Sequence, residues 1–98
     1  MGSVIDFIES IANWVVDKIA SIIKWFGEIK DIVVGKIKNL LNSNREKIEK
    51  TENPKQVAKV IAAKKGISEL QKYANDEERK LSSDDMNAVN DILAEDPD

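Results

Sequence analysis

Neither cysteine nor histidine occurs among the 98 residues. Their absence removes disulfides, thiol nucleophiles, Cys/His zinc sites and imidazole acid–base chemistry together, and leaves the redox compartment open. Glycine is scarce and scattered, at Gly2, Gly27, Gly35 and Gly66, so there is no glycine-rich phosphate loop. No nucleophile–base arrangement or ligand set is evident either. The chain therefore reads as non-enzymatic, with no cofactor and no metal expected. Long apolar runs are missing too: Asp17, Lys18, Lys24, Glu28, Lys30 and Asp31 interrupt the first half well short of the ~20 residues a membrane span needs. Asp6 and Glu9 stand where a basic leader would be, so no secretory signal is expected, and the compartment stays undetermined. A concentrated positive patch is also lacking. Residues 1–50 hold eight basic and seven acidic side chains, and residues 51–98 hold seven and eleven, so nucleic acid is not an expected partner.

What the chain does have is periodicity. Apolar residues recur at Val4, Ile8, Ile11, Val15, Ile19, Ile22, Phe26, Ile29, Val33, Ile37 and Leu40. Steps alternating between three and four specify one face of a straight helix. Ile5, Ala12, Val16, Ile23, Val34 and Leu41 flank that stripe on one side, and Phe7, Trp14, Trp25 and Ile32 on the other. The apolar arc is roughly 200° wide, broader than the face of an ordinary surface helix. Asp6, Glu9, Ser10, Asn13, Asp17, Lys24, Glu28, Asp31 and Lys38 collect opposite it, with Gly27 and Gly35 beside them and Gly27 as the place for a bend. A continuous helix over residues 4–41 would be about 57 Å long.

The expected class is all-α: one long amphipathic N-terminal helix followed by two shorter helices, in a helical hairpin or an open three-helix arrangement, and oligomeric. Residues 1–42 form the long helix, 43–54 a polar break, and 55–98 a helical segment with an acidic tail. Within the break, residues 45–50 read as a charged turn supported by Arg45 with Glu49 and Glu46 with Lys50 at i,i+4. Asn53, Pro54 and Gln56 mark a helix start with a capping box, and one helix is expected over residues 55–80 with a weak point at Gly66. Ser82 as N-cap, Asp85 at the third helical position, and Leu81 with Met86 as a hydrophobic staple open the last helix. Glu95, Asp96, Pro97 and Asp98 are expected to fray.

Asp84, Asp85, Asp91 and Glu95 fit no calcium loop; acidic residues in a helix's first turn are accounted for by the helix dipole. Trp14 and Trp25 at the boundary of the arc suit a lipid interface and the edge of a helix–helix seam equally. Lys18, Lys30 and Lys36 intrude on the apolar arc, where they can snorkel to headgroups or meet Glu69, Glu77 or Glu78.

Two resemblances follow. Trp25-Phe26-Gly27 is similar to the Trp-X-Gly tripeptide of the small helical-hairpin substrates of type VII secretion, and Tyr73 with Glu77 to that family's Tyr-x-x-x-Asp/Glu pattern. That implies a secreted hairpin partner. The family carries its tripeptide in the hairpin turn, whereas the periodicity here puts it inside a helix and the turn near residues 42–54. Residues 4–26, through Asp6-Phe7-Ile8-Glu9-Ser10-Ile11-Ala12 and the run to Trp25-Phe26, resemble delta-lysin-type amphipathic peptides, which implies activity at membranes.

The expected function is self-assembly into a bundle, tube or filament. The contact face is Val4, Phe7, Ile8, Ile11, Trp14, Val15, Ile19, Ile22, Trp25, Phe26, Ile29, Val33, Ile37 and Leu40. The alternatives are a membrane-surface or pore-forming role and a helical module that binds another protein. The premise is that one copy carries more apolar surface on its first helix than its second half can cover.

Overall fold

The computed structural model describes residues 3–95, with side chains from Phe7 onward. It is all-helical, with no strand among these residues. Helix α1 spans Ser3–Ile22, a 3-10 segment Lys24–Ile29, α2 Lys30–Ser43, α3 Arg45–Glu49, α4 Pro54–Asp76 and α5 Ser83–Leu93.

The expected single rod is broken. Ile23 adopts an extended conformation (φ −105°, ψ 91°), the next six residues wind as a 3-10 helix, and the chain reverses. Ion pairs Lys30–Asp17 at 2.8 Å and Lys38–Glu9 at 3.8 Å lace α1 and α2 together antiparallel. The periodicity could not disclose this turn, and the reason is geometric. A 3-10 helix has three residues per turn; Phe26 and Ile29 of the stripe stand three apart within it, and Ile23 of the flank stands three before Phe26. The apolar pattern therefore runs unbroken through a segment in which the backbone does not. Reversal is favoured because it lets the two halves of one stripe bury each other, at about 25 cal/mol per Å² of apolar surface.

Helix α4 lies on both members of the hairpin, and α5 packs on α1. At Gly66 the α4 backbone comes close against the side chains of α1. A Cβ there would stand 2.8 Å from Val15 Cγ1 and 3.0 Å from Ile19 Cδ1. The glycine is thus a packing notch within one uninterrupted helix rather than a weak point in it. α4 stops at Asp76, short of residue 80. Arg79 N–H donates to Ala74 O at 2.7 Å and Glu78 N–H to Asn75 O at 3.3 Å, a Schellman end with Glu78 in the left-handed position at φ 53°.

Helix starts divide. Ser82 Oγ accepts from Asp85 N–H at 3.0 Å, as the capping motif requires. Pro54 occupies the first turn of α4, but the Asn53 side chain makes no capping bond, so the expected capping box is not formed. The break contains α3, held by Arg45–Glu49 at 3.4 Å, and its Ile48 is fully buried. Asp96, Pro97 and Asp98, where fraying is expected, lie outside the described residues.

One copy goes far toward covering itself. The accessible surface is 5980 Å². A folded monomer of 11.0 kDa is expected to show about 5,600 Å².

Candidate functional site

The fourteen residues expected to meet a partner divide by depth. Ile8, Ile11, Val15, Ile19, Phe26, Val33 and Ile37 are buried in the core of the single chain. Phe7, Trp14, Ile22, Trp25, Ile29 and Leu40 are half-buried. The Val4 side chain lies outside the described residues. The centre of the stripe is thus interior, and what reaches solvent is its edge.

The most exposed large apolar side chain on that edge is Ile32, at 61%. It lies over a groove of about 210 Å³ between α2 and α4. Ile29, Ile32, Val33 and Tyr73 supply its apolar lining, and Lys36, Glu69, Lys72 and Asp76 its charged lining. These residues fall at i, i+3, i+4 and i+7, from Ile29 at the end of the 3-10 segment into α2 and from Glu69 along α4, so each side faces the groove with one stripe. The helices run antiparallel: Lys36 meets Glu69 at one end, and Trp25 meets Tyr73 at the other, with ring centroids 5.6 Å apart. Arg79 lies over the Trp25 ring at 5.2 Å and reaches Glu28 at 3.4 Å, closing that end.

Glu69 is the electrostatic centre of the other end. Burial alone would raise its pKa, but hydrogen bonds from Lys36 at 2.9 Å and Lys65 at 3.2 Å outweigh that and hold it below its ordinary value. The intruding lysines are therefore accounted for within one chain. Lys36 takes Glu69, one of the partners expected for it. Lys30 takes Asp17, whose hydrogen bond and charge raise its pKa. Lys18 stands 5.9 Å over the Trp14 ring.

A second, shallower groove of about 370 Å³ separates α4 from α5, with Val60, 41% exposed, on its lining. Beside it Lys59, only 5% exposed, donates to Ala94 O at 3.2 Å and Glu95 O at 3.0 Å, a cation on the C-terminal carbonyls of α5. Among the described residues no cluster of three or more acidic side chains could hold a metal ion, and no helix is long and apolar enough to cross a membrane.

Sequence reasoning placed Ile32 on the flank of the arc and Tyr73 only in the export pattern with Glu77, and gave Lys72 and Asp76 no part in a site. The signal available for them was Tyr73 on the apolar face of the second helix. Its juxtaposition with Ile32 depends on the chain reversal. No family model, no curated protein and no solved structure matches this chain.

Proposed function

We propose that this chain is a non-enzymatic association protein that pairs with copies of itself through the groove between α2 and α4. One observation carries the reading: Ile32 stands 61% exposed over a groove whose other apolar residues are already ordered by the fold. Burying the part of Ile32 that is still exposed contributes about 1–2 kcal/mol, and the half-buried neighbours Ile29 and Tyr73 add to it. Association then uses the edge of the stripe and leaves the hairpin intact, in place of copies meeting along a bare rod. Light scattering after size exclusion, across micromolar concentrations, is the test. The mass should exceed that of one chain, and Ile32→Glu should return it to one chain with the helical signal unchanged. A wild-type protein that stays at single-chain mass throughout would sink the reading.

A second reading gains from one observation. Trp25-Phe26-Gly27 lies in the 3-10 connection between α1 and α2, not inside an α-helix. That is where the type VII substrates it resembles carry their tripeptide. Export of the chain by a host with that machinery, lost in Tyr73→Ala, supports this reading; retention of the wild type ends it. A role at membrane surfaces is less favoured, because α1 would have to turn Ile8, Ile11, Val15 and Ile19 out of the core. Flotation with liposomes and a blue shift of tryptophan emission would revive it.

A further inference from the structure

We infer that two copies seat antiparallel across the α2–α4 groove, about a two-fold axis that passes close to Ile32 and stands perpendicular to the groove. The inference rests on the self-association proposed above and adds its geometry. It comes from the polarity of charge along the groove. At one end Lys36 and Lys65 pair with the single carboxylate of Glu69, and Lys72, three residues on along α4, brings the excess there to two positive charges. The other end is the C-terminus of α4, where Asp76 is followed by Glu77 and Glu78, and Glu28 adds a further carboxylate. Arg79 and Lys80 offset two of these four, leaving an excess of two negative charges. Apolar Ile32, Ile29 and Tyr73 lie between the two ends.

A symmetric pair can meet across such a face in two aligned ways. If the two-fold axis runs along the groove, basic end meets basic end and acidic meets acidic. If the axis is perpendicular to it, each basic end meets the partner's acidic end, and the contact is complementary to itself. Like charges brought together as an interface closes cost several kcal/mol, so polarity selects the second arrangement. Alignment, rather than a crossed contact, follows from area. A stable pair needs about 800 Å² from each partner, so α2 and α4 must lie alongside their counterparts over much of their length. The molecule is 42 Å long, which allows it. Near the axis Ile32 meets its own counterpart, and Lys72 lies toward the partner's Asp76.

The absence of cysteine makes the test direct, because any introduced cysteine is the sole thiol. Under mild oxidation Ile32→Cys should cross-link to a covalent dimer in high yield. In sedimentation equilibrium, Lys72→Glu and Asp76→Lys should each weaken the dimer roughly tenfold, since each sets like charges opposite one another where Lys72 faces the partner's Asp76. The double variant should recover much of the lost affinity, because reversing both charges restores opposite signs where these two positions face each other across the axis. Circular dichroism on each variant separates a lost contact from a lost fold. A wild-type protein that never dimerises overturns both this geometry and the self-association it rests on. A wild-type dimer whose single charge variants pair as tightly as wild type, or whose Ile32→Cys form does not cross-link, overturns the antiparallel seating alone.

Discussion

Gly66 and Gly35 are both glycines in the middle of helices, yet they should respond to alanine with opposite sign. At Gly66 the added methyl would press on Val15, whose branched side chain is buried between α1 and α4 and has little room to turn. Gly66→Ala should destabilise by about 1–3 kcal/mol in urea denaturation, as overpacked cores do. At Gly35 a methyl meets nothing within 4 Å, so Gly35→Ala should stabilise by about 0.5–1 kcal/mol through helix propensity alone. Equal effects at the two positions would contradict the close approach of α4 to α1. Glu69 makes a pH prediction. Its folded pKa is lowered from the ordinary 4.5, so its contribution is fully present above that value. It is lost as the pH falls through the lowered folded value. Thermal melts should therefore show wild type more stable than Glu69→Gln near neutrality, with the gap closing below about pH 4. A gap that persists at low pH would mean that Glu69 acts through packing instead.

At the scale of elements, the reversal between α1 and α2 is the departure with the largest measurable consequence. Residues 9 and 38 are neighbours across the hairpin, joined through a 3.8 Å ion pair. On one continuous helix they would stand about 44 Å apart. Spin labels on Glu9→Cys and Lys38→Cys should report a short distance by electron–electron resonance, well below half the rod value. Much of the helical content was legible in the sequence, because stripes and caps are local. Ser82 with Asp85 marks α5, Pro54 marks α4, and the stripe marks Val33 and Ile37 as apolar-face residues, expected to meet other copies and found buried within the one chain. Three things were not legible, each for a physical reason. The 3-10 turn carries Phe26 and Ile29 at its own step of three, so no gap in the apolar pattern marks it. The end of α4 uses Glu78 in a left-handed conformation, where the usual signal is glycine or asparagine. Ile48 is buried inside a stretch whose charged neighbours read as an exposed turn. As for the site, its apolar members sit on predicted helix faces, but the groove exists only once α2 and α4 lie antiparallel.

For the molecule as a whole, the expectation that one copy could not shelter its apolar stripe gives way to a milder statement. The radius of gyration, 13.3 Å, is close to the roughly 12.6 Å of a globular domain of this length, with a modest excess from its 42 × 23 × 17 Å shape. Folding should therefore not require company. On dilution below the association range the helical signal should persist and unfolding should remain a single cooperative transition. Helicity that fades as copies separate would mean that the lone chain does not hold this fold.

The placement of α5 on α1 bears on how the protein is made. The apolar stretch of α1 leaves the ribosome well ahead of α5, and the helix that closes over it is completed some seventy residues later. At 5–20 residues per second that delay is about 4–14 s. The half-made chain is then the sticky form. Recombinant yield should respond more to chaperone supply and to slower synthesis than to any stabilisation of the finished molecule.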